Sequence, residues 1–197
     1  MKTVLPLTLF LFHFNLLAQE IEIRIPPPEI QIATAVLAAP ENDRGEVKVY
    51  GYNPEGEVIV LREGTNNLVC LADDPYRDGI EISCYSVKLD PFLARGRELR
   101  ADGKHVSEVR QIRKAEAEAG SLEMPDSPSM QYIITAEQDD YDSQTGELTD
   151  FYMRYVIYLP WATTEETGLP DRPHLPGMPW LMDPGTHRAH IMITPEQ

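Results

Sequence analysis

The side chains best suited to chemistry gather near the C-terminal end. His174, His187 and His190, three of the five histidines, lie among Met178, Met182 and Met192. Imidazole with soft thioether is a donor set that suits copper. The spacing works against such a site. Residues 188–194 (RAHIMIT) alternate as a strand does, so side chains two apart share a face. His187, Ala189, Ile191 and Ile193 then face one way, and Arg188, His190 and Met192 the other. That leaves His190 with Met192 as the weak metal candidates, in need of ligands from elsewhere. The expectation is no metal and no cofactor, with the methionines packed in the core. The same stretch also reads as a polar patch. Asp183, His187, Arg188 and His190 are the candidate ligand-binding residues, because Arg and His donate to an anion or carboxylate and His titrates near neutrality. The plainer alternative has Asp183 capping the Pro184-Gly185 turn and Arg188 neutralising nearby acid.

Other stretches offer less. Residues 139–147 (DDYDSQTGE) have the composition of a calcium loop. With Asp140 as position one, Gly146 falls at position seven rather than six, and no glutamate stands at twelve. A hairpin tip with a Thr145-Gly146 turn fits better. Gly51 and Gly56 have a phosphate-loop interval, but Glu57 stands where lysine is needed. There is no Gly-x-Ser-x-Gly elbow, no His-Glu-x-x-His and no dinucleotide fingerprint. Nothing in the spacing singles out a catalytic residue, and the chain reads as leaning away from an enzyme.

The two cysteines, Cys70 and Cys84, form no Cys-x-x-Cys, which excludes that redox motif and a c-type haem site. They are expected to form a disulfide, worth about 3 kcal/mol in the chain-entropy picture; two buried free thiols are the alternative. Both lie in strand-like runs and are symmetric about Arg77, so a cross-strand bridge fits a simple hairpin.

Positioning these residues falls to a series of short elements. Residues 19–25 (QEIEIRI) alternate, and Pro26-Pro27-Pro28 forces an extended stretch, so 19–29 reads as a proline-rich arm. Residues 29–39 suit a helix or a strand, with Ile30, Ala33, Val36 and Leu37 at helical spacing, and Pro40 ends them. Four β-rich runs follow at 47–52, 58–62, 68–72 and 80–85, separated by turn clusters such as Asn53-Pro54-Glu55-Gly56. They read as an antiparallel meander. Asp90-Pro91 then opens a helix carrying Phe92, Leu93 and Leu99 and closing at Gly103. Val106, Val109 and Ile112 mark a second helix that runs to Gly120, its charges forming a solvated face. Strands resume at 131–136 and 151–159, joined by an acidic connection. Seven of the 17 prolines fall at or after Pro160, so 160–187 reads as irregular, with Trp161 and Trp180 as anchors. Residues 188–194 alternate again and are expected to close the sheet. The order of strands, helices and strands gives an α+β domain over 30–197: one antiparallel sheet, two or three helices on one face, a single disulfide and a proline-rich C-terminal segment.

The 197 residues carry 17 basic and 32 acidic side chains, a net charge of −15. That excludes a generic nucleic-acid binder and argues against docking on an anionic membrane. At the N-terminus, Lys2 precedes a largely apolar run, 4–17, which Ala18 follows. This is the layout of a secretory signal peptide over 1–18, cleaved near Ala18, and the run is too short for a membrane span. No later stretch is apolar enough to span a bilayer. The expected location is periplasmic or extracellular, where a disulfide persists.

Residues 33–40 (ATAVLAAP), 61–75 (LREGTNNLVCLADDP), 91–99 (PFLARGREL) and 183–195 (DPGTHRAHIMITP) resemble an uncharacterised family of exported bacterial proteins with no assigned activity. The resemblance implies an exported single-domain protein and supplies no catalytic residues. The functional expectation is a non-enzymatic binding or interaction module whose partner is a protein or small-molecule ligand of the cell envelope. The alternative is a metal- or small-ligand-handling protein, an enzyme included, that uses the C-terminal His/Met/Asp cluster.

Overall fold

The strand Ile80–Ser86 explains the layering, because its consecutive residues Cys84 and Tyr85 are both wholly buried. Successive strand side chains point to opposite faces, so both faces of the sheet there are covered. The computed structural model describes residues 25–196. The expected export segment, 1–18, and residues 19–24 of the arm lie outside the described residues.

The sheet has eight strands: β1 (Lys48–Tyr52), β2 (Val58–Arg62), β3 (Leu68–Leu71), β4 (Ile80–Ser86), β5 (Ser129–Ala136), β6 (Tyr152–Tyr158), β7 (Trp180–Met182) and β8 (His190–Ile193). Their spatial order is β2-β1-β3-β4-β5-β6-β8-β7. The expected meander is therefore corrected. β2 pairs with β1 and forms the sheet edge, and β3 lies on the other side of β1, parallel to it. The sheet is mixed, within an α+β fold. The crossing depends on Gly64: a Cβ there would lie 2.2 Å from the Lys48 backbone nitrogen. Thr65 and Asn66 then donate to the Glu46 carbonyl, and the Asn66 side chain donates to that of Asp43. The chain passes under the start of β1 and emerges on its far side.

The β3–β4 hairpin has the expected register. Leu68 faces Ser86, Val69 faces Tyr85, Leu71 faces Ser83 and Cys70 faces Cys84, all symmetric about Arg77. Cys70 and Cys84 form a disulfide.

The helices do not share one face, as the sequence suggested. α1 (Pro28–Ala35) and the 3-10 turn Val36–Ala38 cover Val49, Cys70, Ile82, Cys84 and Ile134. The opposite face, with Val69 and Tyr85, packs against Leu89 and Leu93, where α2 (Asp90–Ala101) begins. α3 (Val106–Glu118) lies against α2, fixed by Arg95 on Glu116 at 2.7 Å. A fourth, four-residue helix, α4, spans Thr164–Thr167.

Local chemistry moved several boundaries. Pro28 is the first residue of α1 rather than part of the arm, a position where the missing N–H costs nothing. The α1 stripe is shifted too: Gln31, Thr34 and Ala35 are buried and Ala33 is exposed. The polar pair is tolerated because it is bonded. Gln31 Nε2 donates to the Pro26 and Tyr52 carbonyls, its Oε1 accepts from Tyr52 N–H, and Thr34 Oγ1 donates to the Ile30 and Gly146 carbonyls. Asp90 does not cap α2. It is the first helical residue, and its carboxylate accepts from the Tyr85 hydroxyl at 2.9 Å and pairs with Arg97 at 3.1 Å. His105 caps α3 in a reciprocal pair with Glu108. Val106 is exposed and Val109 is buried.

Residues 137–149 form a compact excursion, closed by a Tyr141–Leu148 bridge. Gly146 N–H donates to the Asp142 carbonyl at 2.7 Å, giving the expected tip. Within the proline-rich segment, β7 supplies the outer edge, so β8 lies inside the sheet between β6 and β7. Trp161 is 43% exposed and is a weaker anchor than expected. Among the described residues no helix is long and apolar enough to cross a membrane.

Candidate functional site

His187 and His190 are buried but do not share a site, and His174 is exposed. β8 begins at His190, so His187–Ala189 form the turn before it and the expected strand alternation starts only there. His190 faces Tyr158 across the β6–β8 pair, with ring centroids 5.2 Å apart. Its Nδ1 lies 2.7 Å from the Arg188 carbonyl. His187 packs instead on Phe92 at 5.9 Å and Trp161 at 6.3 Å. Phe92 in turn meets Tyr158 at 5.9 Å. Two aromatic rings therefore link the histidines through a packed run. Arg188 pairs with Asp183 at 3.3 Å, so the charged members of the expected patch engage each other.

His187 is 4% exposed, and neither ring nitrogen has a hydrogen-bond partner among the described residues. Burial lowers its pKa, and the charges of Arg188 and Arg113 lower it further. Burial also lowers His190, partly offset by its bond to the Arg188 carbonyl. The Arg113 guanidinium lies 4.1 Å above the Phe92 ring; burial draws its pKa down to about 10, and it stays cationic at neutral pH. The backbone is strained on both sides of this cluster, with Trp161 at φ 72° and Asp183 at φ 53°. Met192 shares its sheet face with His190 and pairs with Val156 and Trp180. Among the described residues no three His, Cys, Asp or Glu side chains form a metal-sized group.

The larger concave feature lies at the other end of the sheet. A cleft of about 610 Å³ opens between the start of α1, the end of β1, the β3–β4 loop and residues 137–141. Its volume falls within the range of small-molecule sites. The apolar lining includes Ile25, Pro26, Ala72 and Ile80; the polar lining includes Asp73, Asp78 and Glu137. Gln31 and Thr34 form part of the wall, and their internal bonds hold α1 against β1 and the Gly146 tip. Gly51 permits this approach, since a Cβ there would lie 2.5 Å from Gln31 Oε1.

Asp73 holds the β3–β4 loop, accepting from Glu81 N–H at 2.7 Å through Oδ1. Burial raises its pKa to about 6; the Glu81 N–H opposes the rise and the Asp74 charge adds to it. Arg77 pairs with Glu81 at 2.8 Å, so the nearby cation is already matched. Tyr52 on the cleft wall is 8% exposed, and its hydroxyl has no hydrogen-bond partner among the described residues. Burial raises its pKa, and the charges of Asp74 and Asp73 raise it further. Tyr141 closes the opposite wall and is raised chiefly by burial.

Sequence reasoning missed this cleft. Asp73 lies in an Asp-Asp-Pro stretch between strand-like runs and Tyr52 at the end of one, so neither stands out by type or spacing. The available clue was Gln31 and Thr34, polar positions on the inward face of an otherwise apolar helix. Comparison of the chain with family models, curated proteins and solved structures finds no match in any of the three.

Proposed function

We propose that the protein is an exported, non-enzymatic binding module and that its ligand sits in the cleft around Asp73. The observation carrying this reading is the cleft itself: ligand-sized volume, apolar walls, and a few polar groups fixed by their own hydrogen bonds. The disulfide supports it mechanically. Cys70–Cys84 ties the two strands whose connecting loop carries Asp73, so that loop is held when the cleft is empty. Export accords with the same bridge and with the N-terminal sequence.

Native mass spectrometry of the protein, isolated gently from exporting cells, tests the reading. The wild type should retain a small-molecule mass that Asp78→Trp, which sets an indole at the exposed rim of the cleft, does not. A bound mass that survives Asp78→Trp would move the site elsewhere. The second reading, ligand handling by the C-terminal cluster, is favoured by the unpartnered nitrogens of His187. It requires that mass to disappear in a His187 variant instead.

A further inference from the structure

Resting on that reading, we infer that the cleft selects ligands bearing a positively charged amine on an apolar body. The first support is donor–acceptor matching. An ammonium group carries three donors and no acceptor, so its site must supply acceptors. Asp73 Oδ1 is engaged by Glu81 N–H, and Oδ2 has no bond among the described residues. The Tyr52 side chain on the cleft wall is 8% exposed, its hydroxyl has no hydrogen-bond partner among the described residues, and it lies in the field of the Asp73 and Asp74 charges. The Gln31 donors, by contrast, are committed to the Pro26 and Tyr52 carbonyls, and the Thr34 hydroxyl to the Ile30 and Gly146 carbonyls. The inner wall thus offers acceptors while its amide and threonine donors are committed, and the free donors of Gln138 and Arg77 sit at the exposed rim, an arrangement poorer for a carboxylate or phosphate than for an ammonium.

The second support is charge. Among the described residues, Asp73, Asp78 and Glu137 line the cleft against one cation, Arg77, which Glu81 holds at 2.8 Å. A desolvated carboxylate without its own cation favours a ligand that brings one. The third support is the lining. Ile25, Pro26, Ala72 and Ile80 provide apolar surface for a hydrocarbon body, and the Tyr52 and Tyr141 rings suit a neighbouring cation.

Binding is then linked to protons. The groups facing Asp73 are Asp74, Arg77 and Asp78 from its loop, Glu81 from β4, Tyr52 from β1, and Glu137 and Tyr141 from the far wall. Of these, Asp73 is raised to about 6, so it is mostly ionised at pH 7 and mostly protonated at pH 5. A ligand that needs the carboxylate should bind about tenfold more weakly at pH 5 than at pH 7.

Three matched probes test the inference on the full protein by NMR titration at pH 7 and pH 5: 3-phenylpropylamine, 3-phenylpropanol and 3-phenylpropanoate. The amine should shift the backbone resonances of Tyr52, Ala72 and Ile80, bind at least tenfold tighter than the alcohol at pH 7, and weaken about tenfold at pH 5. Asp73→Asn, which keeps an acceptor for Glu81 N–H, should remove the amine's advantage over the alcohol. Tyr52→Phe should reduce amine affinity severalfold, giving a second variant should Asp73→Asn disturb the loop. If the alcohol or the carboxylate occupies the cleft as tightly as the amine, selection for a cation is wrong and the cleft remains a binding site. If none of the three perturbs the cleft at millimolar concentration, both the inference and the reading beneath it fail.

Discussion

Replacing His187 with leucine should make the protein more stable, and increasingly so in acid. His187 is buried between Phe92 and Trp161, and neither ring nitrogen has a hydrogen-bond partner among the described residues. A buried polar group left unsatisfied costs about 1–3 kcal/mol. His187→Leu removes that cost at similar volume and forfeits ring contacts worth about 0.5–1.5 kcal/mol. The net gain at pH 8 is then about 1 kcal/mol. The fold holds His187 neutral by lowering its pKa below 6.5, so the unfolded chain takes up a proton that the folded chain refuses. Wild-type stability therefore falls as pH drops below 6.5, and the leucine variant escapes that loss. The difference should widen by up to about 1.4 kcal/mol per pH unit until the folded-state pKa is reached. His190 and Asp73 titrate in both proteins and cancel in the comparison. Urea denaturation of both proteins at pH 8, 6 and 5 provides the assay. A variant less stable than wild type at pH 8 would mean that the His187 nitrogens are bonded, to a ligand or to water. A difference that stays constant with pH would mean that the fold does not hold His187 neutral.

Other perturbations follow from the same structure. Cys70→Ala with Cys84→Ala should cost about 3 kcal/mol in chemical denaturation, because the bridge closes a short hairpin loop. Asp73→Asn should stabilise the protein by about 1–2 kcal/mol at pH 7.5. The raised pKa of Asp73 gives a contribution present below 3.8 and lost as pH rises through about 6, so the gain should shrink towards pH 4 in a pH series of melting temperatures. Gly64→Ala should cost about 1–3 kcal/mol, through the clash with the Lys48 backbone, and lower the urea midpoint accordingly.

The sequence was most informative where the determinants were local. Symmetry about Arg77 located the cross-strand disulfide and its register, because a hairpin's pairing follows from its turn. Gly103 and Gly120 mark the ends of α2 and α3 through positive φ, a backbone preference that sequence displays directly. The topology was less legible. Whether β3 pairs with β2 or crosses to β1 turns on one close backbone approach at Gly64, and a glycine among turn residues does not announce that it lies under a strand. Helix placement failed for a related reason. β3 and β4 are short enough that burial on two faces and on one look alike, and only the adjacent core pairs Val69-Cys70 and Cys84-Tyr85 separate them.

The candidate site was harder still to read. Histidines draw attention by residue type, yet here packing on Phe92, Trp161 and Tyr158 accounts for most of their surroundings. The cleft is assembled from α1, β1, the β3–β4 loop and residues 137–141, segments far apart in the chain. None of its residues forms a motif with a neighbour in sequence. Asp73 stands out through its place in the cleft and its bond from Glu81 N–H, which no spacing encodes.

The most direct test of the binding reading is to map where an unbiased small-molecule fragment set binds, using backbone amide NMR of the full protein. The account predicts shifts concentrated at Tyr52, Ala72, Asp73, Ile80 and Tyr141, with His187 and His190 unmoved. Fragments that shift His187, Arg188 and His190 while leaving the Asp73 cleft silent would contradict it.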